Sequence, residues 1–167
     1  MIATRNTALA ETLATQFGMN LYIANRNLEG ITSEESLVRA VPTGNHINWL
    51  VGHVVAVRCA LLPALHQEPV WGEETLRLYR HGSSGAVDAD YLPFDEVVRA
   101  FHAAQERIFA GLGAVTEEEL AAVAPFSPGG GPETLGSLLT KSTVHEGYHL
   151  GQTAILRRII GKPGAIQ

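Results

Sequence analysis

His145 and His149 stand four residues apart. On an α-helix that spacing puts two imidazoles on one face, about one turn from each other, which is how a helix chelates a single metal ion. At about 100° per residue, Leu138, Ser142, His145, His149, Gln152 and Leu156 share one narrow stripe, apolar at its ends and polar in its middle. A stripe that faces a core does not carry two imidazoles and an amide at its centre unless something satisfies them. A bound ion would do so. The alternative is a histidine pair at a solvated helix edge.

The run His145-Glu146-Gly147-Tyr148-His149 also fits the H-E-x-x-H pattern of zinc proteases. A protease needs a third ligand downstream. From Gly147 to Gln167 there is no Asp, Glu or Cys and only the one His149, and position 155, where the extended motif has histidine, is Ile155. A third ligand must come from upstream. His53 shares a stripe with Trp49, Leu50, Val57 and Ala60, so it points inward and is the leading candidate. Glu146, at the flank of the ligand face, is a candidate general base, and a salt-bridged glutamate is the competing reading. Gln152 and Ser142 are candidates for orienting the ligands.

The remaining histidines sort by position. His46 lies two turns from His53, about 10.5 Å along a helix axis, so it reads as a cap or pocket-rim group. His102, beside Phe101, is a weaker candidate for approaching the site, and His66 and His81 are expected to face solvent. Cys59 sits about 120° round the helix from His53 and reads as a small core residue.

Four long helices must position these groups. Leu9, Leu13, Phe17, Leu21, Ala24 and Leu28 recur with helical period, predicting a helix from about Thr4 to Leu28 that stops at Gly30. A second is expected from about Asn45, a good cap residue, to Leu65, apolar nearly all round. A third starts near Pro93 and carries Val97, Val98, Phe101, Ile108 and Leu112. The fourth follows the breaker Pro128 to Pro132 and ends at Gly161. Short helices are expected at Ser33-Glu34-Glu35, around Glu73 to Tyr79, and after Thr116, which forms a capping-box pattern with Glu119. No stretch alternates with period two. The expectation is one all-α domain, residues 1–167, built as a four-helix bundle with long connections.

Composition bounds the partners. A hydrophobic fraction of 46% excludes global disorder, and a net charge of −5 with only Arg157-Arg158 as a close basic pair excludes a nucleic-acid footprint. One cysteine excludes an intramolecular disulfide and fits a reducing cytosol. Arg5 and Glu11 fall where an export signal would be apolar, so a cytoplasmic location is expected. Ile47 to Leu65 approaches a membrane span in length, but it contains Asn48, His53, Arg58 and Pro63 and reads as a buried helix. No membrane partner is expected. A homodimer is, because a helix apolar all round leaves surface for a second copy, with the first three long helices as candidates.

Asn48-Trp49-x-x-x-His53, His145-Glu146-x-x-His149-x-Gly151-Gln152 and Leu156-Arg157-Arg158-x-x-Gly161 together resemble the DinB/YfiT-like superfamily of proteins regarded as metal-dependent enzymes, whose name is shared with an unrelated polymerase. The resemblance implies a four-helix bundle of up-down-down-up topology, frequently dimeric, with one divalent ion on three histidines, here His53, His145 and His149. It also implies chemistry with low-molecular-weight thiols in some members. Three neutral imidazoles leave positions open for water or substrate, the mark of a catalytic site. An ion there brings a bound thiol or water toward deprotonation at pH 7. The readings are transfer of a small thiol to an electrophilic small molecule, metal-dependent hydrolysis, or a non-catalytic binding bundle. Zinc and nickel suit imidazole, and iron is a further option. Substrate access is expected at the helix starts, through Gly44-Asn45-His46 and Gly129-Gly130-Gly131, with Tyr148 and Arg58 as rival substrate contacts.

Overall fold

The computed structural model describes residues 7–83 and 91–165. The part of the first predicted helix at 4–6 lies outside them. Helix α1 spans Ala8–Leu28; Thr7 caps it, its hydroxyl accepting from the Ala10 amide at 3.0 Å. Gly30 then turns the chain at φ +70°, a conformation that costs glycine little. Helix α2 is a single turn, Ser33–Ser36, held by a capping box between Thr32 and Glu35.

Helix α3 spans Ile47–Leu61 and tightens into a 3-10 turn over Leu62–Leu65. Its expected cap moves by one residue. His46, not Asn45, is the cap: its Nδ1 accepts the Trp49 amide at 3.0 Å. Helix α4 covers Glu73–Tyr79, as the sequence suggests. Helix α5 runs Phe94–Ala114 behind Pro93, and α6, Glu117–Ala121, carries the expected Thr116–Glu119 box. Helix α7, Leu135–Ile159, is capped by Thr134. The described residues hold no strand, only an isolated bridge between Val123 and Thr134. The fold is all-α.

The long helices pack α1 on α7 and α5, and α3 on α5 and α7, while α4 lies across α3. Buried side-chain bonds mark the levels. Asn20 donates to the Thr143 carbonyl and Asn27 to that of Leu150, tying α1 to α7. Arg58 reaches the Phe101 carbonyl, tying α3 to α5. One apolar cluster gathers Trp49, Leu50, Val54, Tyr79, Phe101 and Leu150; another gathers Leu13, Phe17, Leu62, Ile108 and Leu138. Each long helix also buries polar groups, among them Asn20, Arg58, Gln105 and Glu146.

Twelve of the fifteen residues of α3 are buried. Its apolar circumference, offered above as surface for a second copy, is therefore covered by the chain's own α5, α7 and α4. Residues Ile47–Leu65 are long and apolar enough to cross a membrane, with a mean hydropathy of 1.5, but 78% of that stretch is buried inside the protein. Burial among neighbouring helices accounts for its composition.

Candidate metal centre

His53 on α3 and His145 and His149 on α7 meet where these two helices pack. The His145 Nε2 lies 3.1 Å from the His149 Nε2 and 3.4 Å from the His53 Nε2. All three ligand atoms fall within 4.8 Å of one another. Four donors at 2.0–2.1 Å around a tetrahedral ion are separated by about 3.3–3.4 Å, so the spacing suits a first-row divalent ion. His53 and His149 are buried and His145 is half-buried.

Each outer partner fixes a tautomer. The Tyr79 carbonyl accepts from His53 Nδ1–H at 2.8 Å, and the Gln152 Oε1 accepts from His149 Nδ1–H at 2.8 Å. A neutral imidazole holding its proton on Nδ1 presents a bare lone pair on Nε2. Two such lone pairs therefore converge beside His145, whose own Nδ1 is buried without a hydrogen-bond partner. Without a metal, an Nε2 proton on His145 is shared toward these two lone pairs; a cation would take its place and be met by all three nitrogens. Burial also favours the neutral rings. It pushes the His145 pKa down to about 4, helped by repulsion from His149 and His53, and it lowers those of His53 and His149 as well. Neutral rings are the metal-binding form.

The supports of His53 reach further than its spacing suggests. The Trp49 indole stacks on its ring, centroids 4.7 Å apart and planes 5° from parallel. Tyr79, fully buried, lies against Gly52, where any Cβ would collide with its ring. Its hydroxyl donates to the Asn48 Oδ1 and accepts from the Leu92 amide, both at 3.0 Å. Asn48 completes the loop by donating to the Leu92 carbonyl at 2.9 Å. Gly52 and Tyr79 were not among the residues singled out from the sequence; a glycine inside so apolar a helix is the signal that pointed to a close approach.

Other sequence candidates go elsewhere. Both Glu146 carboxylate oxygens are engaged by Arg58, at 2.9 Å from Nε and 2.7 Å from the nearer terminal nitrogen, so the salt-bridged reading of Glu146 is the one the structure adopts. Arg58 is 1% exposed and binds Glu146, the Phe101 carbonyl and Gln105, which removes it as a substrate contact. Ser142 bonds its own helix at the Leu138 carbonyl and orients no imidazole. His102 lines a cavity of about 700 Å³ between α1, α2 and α5, lined by none of the three clustered imidazoles. His66 and His81 are exposed and Cys59 is a buried free thiol, as expected. Of the two access loops, Gly44 and Asn45 line a cavity of about 220 Å³ that includes Gln152. Gly129 to Gly131 precede α7, and His145 follows its cap Thr134 by eleven residues, about 16 Å of helix. That distance takes the glycine loop out of reach.

A comparison with curated proteins finds no match. The family model described as the DinB superfamily matches residues 23–153, a span that includes all three clustered histidines and both orienting partners. The chain belongs to the DinB superfamily.

Proposed function

We propose that this protein is a metal-dependent enzyme that holds one divalent transition ion on His53, His145 and His149 and transfers a low-molecular-weight thiol to an electrophilic small molecule. The observation that carries the reading is the convergence of three imidazole nitrogens, two of them bare because Tyr79 and Gln152 hold the ring proton on Nδ1. Family membership supports the metal. Zinc and nickel both suit an all-imidazole set. When bound, such an ion supplies Lewis acidity, making a thiol a nucleophile at neutral pH.

The chain's own residues do the positioning. Tyr79 and Gln152 hold two rings by their Nδ1 protons, and the Trp49 indole closes one face of His53 to water. Glu146 is given a positioning role through Arg58. The levels of contact support a single domain with an up-down-down-up course. Residues 20 and 27 of α1 meet 143 and 150 of α7, whereas 49 and 53 of α3 meet 149 and 145. A homodimer is proposed on the exposed Met19 and Tyr22 of α1, and a cytosolic setting on the free thiol Cys59.

The test is metal content of protein purified without a histidine tag, followed by thiol consumption with epoxides, halides and unsaturated acids. Stoichiometric metal with thiol loss only in the loaded protein is the expected result. Loaded protein that consumes no thiol but hydrolyses esters or amides would move the reading to hydrolysis.

A further inference from the structure

A groove of about 320 Å³ lies between α3 and α4, lined by His53, Ala56, Val57, Cys59, Ala60 and Leu76 together with Arg80 and His81. It is lined by one of the three clustered imidazoles, and its other wall begins at the residue that holds that imidazole. The Tyr79 carbonyl bonds His53 Nδ1 at 2.8 Å, and Arg80 and His81 follow Tyr79 directly in the chain. The same cavity is thus lined by an arginine and by one of the clustered imidazoles.

The lining residues differ in chemistry. Ala56, Val57 and Ala60 are small and apolar, offering room and no hydrogen bonds. Arg80 donates to the Glu73 Oε2 at 2.7 Å, and Arg77 stands 3.7 Å from Glu73 Oε1. Two guanidinium groups share the Glu73 carboxylate, so neither has that carboxylate to itself. Arginine suits planar oxyanions because its fork donates two parallel hydrogen bonds. The other flanking cavity, beside Gln152, has no charged lining residue, and the large cavity at α1 and α5 does not touch the cluster.

We propose that this groove is the substrate-anchoring subsite: Arg80 takes the carboxylate of a small organic acid whose apolar middle lies over Ala56, Val57 and Ala60 and whose other end reaches the ion at His53. The proposal rests on the metal reading above and does not depend on the thiol chemistry. Arg80 sets specificity, selecting acids over neutral molecules of the same length.

The cobalt(II)-loaded protein tests it, with two metal-directed probes, the monohydroxamate of succinic acid and the neutral propionohydroxamate. Both are titrated against the visible cobalt bands. The acid probe should bind at least ten times more tightly. That ratio should fall to near one in Arg80→Gln, persist in part in Arg80→Lys, and stay unchanged in Arg99→Gln, a control on α5 far from the groove. Equal affinities in the unaltered protein, or a preference that survives Arg80→Gln, would overturn the subsite while leaving the metal centre standing. Cobalt that binds but responds to neither probe would overturn it also, since no position is then open to an acid. Failure to bind cobalt at all would refute the metal reading, and the subsite with it.

Discussion

Arg58 and Glu146 form a buried bidentate pair between α3 and α7, five residues beyond His53 on one helix and one beyond His145 on the other. The guanidinium also lies 4.0 Å over the Phe101 ring and bonds Gln105, so α5 joins the same node. Such a pair fixes the axial offset of two helices more sharply than apolar contact does, because sliding would strand both charges away from water. The ligands sit just beyond it. Breaking it by Glu146→Leu should cost about 3–5 kcal/mol, while Arg58→Met with Glu146→Leu should recover most of that loss. Urea unfolding of the three proteins checks this; a single variant as stable as the unaltered protein would deny the pair its structural weight.

The three ligand positions should be equivalent in necessity. Alanine at His53, His145 or His149 should abolish stoichiometric metal and leave most of the helical circular dichroism. Gln152→Ala should be milder, roughly 10–100-fold in metal affinity, as expected for an outer partner. Competition with a chromophoric chelator reads both. Full affinity in His53→Ala would disprove the three-ligand assignment.

The histidine pair was legible because helical spacing of four is a short-range property, and the Thr116 capping box for the same reason. The start of α3 was misplaced because Asn45 and His46 both carry capping acceptors, and only the chain's path decides between them. The Arg58–Glu146 pair was not legible as a pair. Its members lie 88 positions apart, and helical period places each on a face without naming what that face meets. Tyr79 escaped for a related reason: a seven-residue helix in a long connection gives no periodic clue that one side chain will be fully buried.

The metal-free protein should lose stability as pH falls through a defined window. An unfolded histidine titrates near 6.5, and burial lowers that of folded His145 to about 4, with His53 and His149 lowered too. Between these values the unfolded chain binds more protons than the folded one, so acid favours unfolding. Stability should be full above about pH 6.5 and decline toward pH 4. Added zinc should raise the melting temperature at pH 7 and lose that effect in the acid window, where protons compete for the same nitrogens. Calorimetry with and without a chelator measures both. A melting temperature flat from pH 7 to 5 would contradict the buried neutral cluster.

Gly52→Ala tests how far the support of the metal centre extends. The added methyl carries no charge, touches no metal ligand, and by helix propensity alone would stabilise α3 by about 1 kcal/mol. In this fold it would meet the Tyr79 ring, whose hydroxyl is held by Asn48 and Leu92 and against which the Trp71 ring is stacked. Overpacking of this kind costs about 1–3 kcal/mol, so the net effect should be a loss of stability. Moving Tyr79 also moves its carbonyl, the acceptor that keeps the His53 proton on Nδ1. Metal affinity should therefore fall along with stability. A second variant separates the two effects. Tyr79→Phe removes the hydroxyl but keeps the ring and the carbonyl, so it should lower stability with a smaller change in metal affinity. If Gly52→Ala binds metal as tightly as the unaltered protein, the Tyr79 carbonyl is not what sets the orientation of His53.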